Sequence, residues 1–167
     1  TRGQRMCRGG ADKLAGIWEV DPRGARRSGV HQSFVQTGSA LAEETWTRVS
    51  SLLDGYARSW TTAYTDTCEA THVRGDQSAE VLDLRMSCLD GARSGLRALS
   101  DVLSHADGRT VIEAVNAAHA LPPIERCDDV VTLRAAVPLP ADAAIRARVD
   151  EIRTRLSEVK ALTDTGK

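Results

Sequence analysis

Apolar residues recur along this chain at spacings of three and four, and strand signals are nearly absent, so the pattern predicts helix after helix. Leu14, Ile17 and Trp18 share one side of a short helix or turn over 11–18. Asp21-Pro22 opens a second helix that runs through Phe34 and Val35 to Gly38, because proline suits a first turn where no amide donor is needed. Ser39 is placed to cap a long helix carrying Trp46, Val49, Leu52, Leu53, Tyr56, Trp60 and Tyr64. That pattern reaches about Thr71, breaks at Arg74-Gly75-Asp76, and resumes with Val81, Leu82, Met86, Leu89, Leu96, Leu99 and Leu103. Asp76 or Ser78 caps the new helix, and Glu80 in its first turn favours the helix dipole. The two long helices therefore form an antiparallel hairpin turning near Gly75. Asp107-Gly108 restarts a shorter helix with Val111, Ile112 and Val115, which Leu121-Pro122-Pro123 ends.

A minor helix follows from Asp128 to Val137. Pro138 and Pro140 then mark a boundary, after which Ile145, Val149, Ile152, Leu156 and Val159 form a regular seam on an amphipathic last helix, with Glu151 and Arg155 one turn apart in the favourable order. The reading is all-α: a helical bundle module over residues 1–137, built around a long antiparallel hairpin, and a C-terminal helix over 138–167.

At 167 residues the chain is long enough to bury its own core, but only 4% of it is aromatic, so alanine, leucine and valine fill that core and the three tryptophans anchor it. A formal net charge of -1 gives no basic face for a phosphate backbone, so no nucleic-acid partner is expected. No window approaches the roughly 20 apolar residues of a membrane-spanning helix. The chain starts without methionine and stops on Thr165-Gly166-Lys167 within a helical pattern, and is therefore expected to be a segment of a longer one.

Cys7, Cys68, Cys88 and Cys127 are widely spaced and include no Cys-x-x-Cys pair, which disfavours a zinc site and leaves two disulfides or four buried thiols. In a regular hairpin, Cys68 and Cys88 are offset by ~6 or 7 residues, or ~10 Å at helical rise. A disulfide spans roughly 7 Å between Cα atoms. Their direct pairing needs the first helix to end early or 69–79 to double back. Otherwise one of them pairs with Cys7 or Cys127 in the less regular flanks. All three connectivities stay open, and Cys68–Cys88 with Cys7–Cys127 is the one favoured.

Candidate chemistry is sparse. Arg74-Gly75-Asp76 is the polar turn of the hairpin rather than an adhesion signal. His31, His72, His105 and His119 lie far apart, with no pair at helical ligand spacing. Asp83, Arg85 and Asp90 read as charges on the outward face of a helix. No Gly-rich phosphate loop, Ser/His/Asp order or paired-carboxylate motif is present, so neither enzyme activity nor a cofactor is expected. A small ligand held between helices by Trp46, Tyr56 and Trp60 is a weaker alternative, because aromatics at helical spacing are far more often core.

The stretches CRGGADKLAGIW (7–18), CEATHVRGDQSAEVLDLRMSCLD (68–90) and ALPPIERCDD (120–129), in that order, resemble the segment between the kinase domain and the tetratricopeptide repeats of bacterial membrane-anchored serine/threonine protein kinases. The likeness covers roughly residues 7 to 130. RLSEVKALTDTGK (155–167) looks like the first helix of a tetratricopeptide repeat cut at its Gly-Lys turn. The resemblance implies an upstream kinase and membrane-spanning helix, and paired cysteines outside the cytoplasm. Gly91 and Gly95 depart from it, where arginine or leucine would be expected.

The expectation is a non-catalytic extracytoplasmic sensor or spacer that couples helical repeats, or ligand or partner binding, to the kinase. Its interaction surface is Arg74, Asp76, Gln77, Asp83 and Arg85, and its partner is a protein, a peptide or a small ligand. A homodimer is compatible, and the membrane is met only through a helix elsewhere in the parent chain. The competing expectation is a cytoplasmic scaffold with reduced cysteines, docking partner helices on Ile145, Val149, Ile152 and Leu156.

Overall fold

In chain order the helices are α1 (Arg2–Met6), α2 (Ala25–Gln36), α3 (Ala42–Glu69), α4 (Ala79–Leu103), α5 (Gly108–His119), α6 (Val130–Ala135) and α7 (Ala143–Asp164). Short 3-10 turns at Ala11–Leu14 and Ile124–Asp128 and a π-helical turn at Ala70–Arg74 join them. The computed structural model describes residues 2–136 and 140–167, and it contains no strand among them. The protein is an all-α helical bundle.

The hairpin forms where the hydrophobic pattern places it. α3 has 28 residues, about 42 Å at helical rise. It presents Val49, Leu53, Ala57 and Trp60 to Leu89, Ala92, Leu96 and Leu99 of α4 within one continuous core. Trp60 is fully buried and donates its indole N–H to the Leu89 carbonyl at 2.7 Å. Trp18 donates to Asp54 at 2.9 Å, and the Arg27 guanidinium pairs with the same carboxylate between the rings of Trp18 and Trp46. Tyr56 donates to the Pro122 carbonyl at 2.8 Å, and burial, aided by the Glu125 charge, raises its phenol above the ordinary tyrosine pKa. These aromatics are core and anchors of the core, as the helical spacing implied.

Several boundaries shift for local reasons. The helix expected from Pro22 begins at Ala25, because the Asp21 carboxylate accepts the Arg23 amide and its carbonyl accepts the Gly24 amide, closing a turn first. Ser39 turns the chain in the same way, accepting from Leu41, and α3 starts three residues later at Ala42. Ser78 caps α4, accepting the Val81 amide at 3.3 Å, and Asp107 caps α5, accepting the Thr110 amide at 2.8 Å. Asp129, not Asp128, caps α6, and Asp142 caps α7. The expected boundary at Pro138 and the end of the minor helix at Val137 lie outside the described residues.

The disulfides are Cys7–Cys68 and Cys88–Cys127, with Cα separations of 5.4 and 5.5 Å. This corrects the favoured pairing of Cys68 with Cys88. α3 does not end early: it continues through the π-helical turn to Arg74, so the helical offset keeps Cys68 and Cys88 apart. Each finds a partner in an irregular flank, Cys7 just after α1 and Cys127 in the 3-10 turn. The pairing also takes up the four thiolates that a zinc site would have needed.

α7 returns alongside α4 and runs parallel to it, which a crossover through α5 and α6 makes possible. Residues 91, 95 and 99 of α4 line up with 157 and 161 of α7, and residues 80–90 with 146 and 150. At the unexpected Gly95 a Cβ would make ordinary contacts with Pro122 at 3.5 Å and Leu121 at 3.7 Å, so the packing does not demand a glycine there.

Candidate functional site

The hairpin end is built around Gly75, whose φ of +71° lies in the left-handed region that glycine occupies without strain. The Asp76 amide closes the turn onto the Ala70 carbonyl at 3.1 Å. Arg74 donates to Asp76 at 3.2 Å and to Asp66 at 2.9 Å, and the Asp76 hydrogen bond leads the interactions that raise its pKa. Gln77 turns inward, donating its amide to the Thr67 carbonyl and the Thr71 hydroxyl.

Arg85 does not sit on the outward face of α4. Only 8% of the residue is exposed, and its guanidinium donates to the Cys127 carbonyl at 3.3 Å, to Gln77 Oε1 at 2.6 Å and to the Asp128 carboxylate. Asp66 lies 3.6 Å away and bridges Arg85 to Arg74. Of the five residues proposed as a surface, four are thereby drawn into one network that ties the turn, α3, α4 and the Cys127 segment together. The periodicity carried the signal for Arg85, which stands four residues from both Val81 and Leu89 on the buried stripe.

Asp83 is the member that stays outward, with no hydrogen bond or ion pair among the described residues. It lines a cleft of about 690 Å³ between α4, α6 and the start of α7. Leu84, Met86 and Leu133 give the cleft an apolar component, and its charges are Glu80, Asp83, Asp90 and Asp150 against Arg134 and Arg146, an acidic excess.

The cleft is the wide end of a wedge. Further along, between Gly91 and Ser157, the space is about 320 Å³, and at Gly95, Leu99 and Ala161 it is about 50 Å³. α7 is held at that narrow end. Ala161 and Thr165 are buried, and Lys167 donates to the His105 carbonyl at 2.8 Å. Its first turns, residues 143–148, are exposed throughout. Most of the apolar seam is exposed as well, because the face set against α4 is made of small and polar residues: Asp150, Thr154, Ser157 and Ala161. Sequence reasoning missed that contact face, which has no hydrophobic signal to find.

Two disulfides belong to an oxidising, extracytoplasmic environment. No helix among the described residues is long and apolar enough to cross a membrane. The chain matches no protein-family model, no curated protein and no solved structure.

Proposed function

We propose that the chain is a non-catalytic sensor or spacer module on the outer side of the cell membrane, part of a membrane-anchored serine/threonine kinase. The observation that carries the reading is the pairing of all four cysteines, which favours a compartment outside the cytoplasm. The sequence resemblance supplies the kinase. The wedge supplies a means of response: a ligand or partner entering the wide end bears on the free turns of α7, while the narrow end acts as the hinge. Binding that prefers one opening of the wedge shifts the population toward it.

The scaffold reading keeps one of its two signatures, the exposed seam on α7, and lacks the other, free thiols. The test has two arms. Alkylation and non-reducing peptide mapping of the chain isolated from its native host should yield Cys7–Cys68 and Cys88–Cys127; four labelled thiols would return the reading to a cytoplasmic scaffold. Autophosphorylation of the full polypeptide carrying the chain should respond to Asp83→Ala or Leu133→Glu. A polypeptide with no kinase activity, or one whose output ignores both substitutions, rejects the coupling whatever the disulfides show.

A further inference from the structure

The seam of α7 is a heptad pattern without a partner. Ile145, Ile152 and Val159 repeat every seven residues, and Val149 and Leu156 fall between them at the alternating four-three spacing of d and a positions. Ile145, Ile152, Leu156 and Val159 are 54–61% exposed and lie in one row, whereas the other large apolar side chains as exposed, Met6, Ile112 and Val131, stand singly on separate helices. The stripe is narrow, without a flanking third column of apolar residues, which is the form of a helix-pairing seam and not of a broad core-facing or membrane-facing surface.

The charges beside the seam select the occupant. On one flank stand Arg146, Arg153 and Lys160, at e positions; on the other stand Arg148 and Arg155, at g positions. A second copy, parallel or antiparallel, would set these cations against one another across the interface. The acids that pair with them, Asp150, Glu151 and Asp164, lie on the far side of each cation from the seam. These exposed ion pairs are weak and leave the flanks basic.

We infer that the seam binds one amphipathic helix of another polypeptide, apolar at its own a and d positions and acidic at e and g. The opposed flanks then become complementary charge pairs, which fix register and orientation. The inference extends the reading of the chain as an interaction module, naming the partner chemistry of the exposed seam, whose Arg146 flank also borders the α4–α6–α7 cleft.

The test titrates the disulfide-intact chain with a synthetic probe of about three heptads, carrying leucine and isoleucine at a and d and glutamate at e and g. A second probe carries lysine at e and g. Binding is read by fluorescence anisotropy and by amide shifts in labelled protein. The acidic probe should bind, the basic one should not, and added salt should weaken the complex. The shifts should map to 145–160. Ile152→Ser and Leu156→Ser are exposed changes that leave the melting transition in place and should each weaken binding roughly tenfold.

Equal affinity for both probes, no binding at millimolar probe, or shifts confined to the cleft would overturn the inference. Concentration-dependent dimerisation lost in Ile152→Ser would assign the seam to a second copy instead. Binding to phosphatidylglycerol vesicles but not to the acidic probe would assign it to a lipid surface. These outcomes leave the kinase and compartment arms above unaffected, so the two readings fail separately.

Discussion

Replacing Arg85 by methionine keeps most of the apolar stem and removes the guanidinium, so the loss reads the polar network alone. Three groups lose a donor: the Cys127 carbonyl, Gln77 Oε1 and the Asp128 carboxylate. Asp128 and Asp66 have side chains 60% and 52% exposed, so water recovers much of their solvation and each contributes at most about 1 kcal/mol. The buried Cys127 carbonyl and the half-buried Gln77 side chain cannot be rehydrated so easily, at about 1 kcal/mol or more each. Together Arg85→Met should cost about 2–3 kcal/mol, below the roughly 3–5 kcal/mol of breaking a fully buried pair. In urea unfolding followed by far-UV circular dichroism with both disulfides intact, the midpoint should fall with the slope unchanged. Thermal melting should drop by about 5–10 °C for a chain of this size. Asp83→Ala, two residues away and unpartnered, should cost less than about 0.5 kcal/mol. Arg85→Met within about 0.5 kcal/mol of the parent, or no coupling to Asp128→Asn in a double-mutant cycle, would refute the network as a structural clamp.

Tyr56 should make the fold sensitive to alkali. Its folded-state pKa is raised by burial, so the stabilisation is full below the unfolded tyrosine value of about 10 and is lost as pH rises toward the folded value. Tyr56→Phe should cost about 1 kcal/mol at neutral pH through the lost bond to Pro122, and should flatten the decline in urea stability above pH ~10; parallel declines in the two proteins would contradict this. Gly91→Ala adds a Cβ with nothing within 4 Å inside a regular helix and should stabilise by about 0.5–1 kcal/mol. Gly75→Ala forces a left-handed residue and should destabilise by about 1–2 kcal/mol, so denaturation midpoints in the reverse order would refute the backbone argument.

The sequence by itself determined what depends on neighbours along the chain. Helical periodicity drew the α3–α4 hairpin and the buried stripe from Val49 to Trp60, and short-range polar chemistry offered Asp76 or Ser78 as the cap of α4, Asp107-Gly108 as the restart of a helix and Gly75 as the turn. Those signals are local, because a cap or a stripe is written within a few residues of where it acts. Tertiary structure decided which cysteines meet, because the answer turns on whether α3 stops at Glu69 or continues to Arg74, a single helical turn that no periodicity resolves. It also decided the role of Arg85: an arginine on a buried stripe is tolerable only where Gln77, Asp128 and the Cys127 carbonyl converge from distant segments. The placement of α7 lies furthest from the sequence. Its seam predicted an apolar contact, but the face set against α4 is Asp150, Thr154, Ser157 and Ala161, and the seam turns outward. Small and polar side chains can form such a contact face, and they leave no hydrophobic periodicity to read.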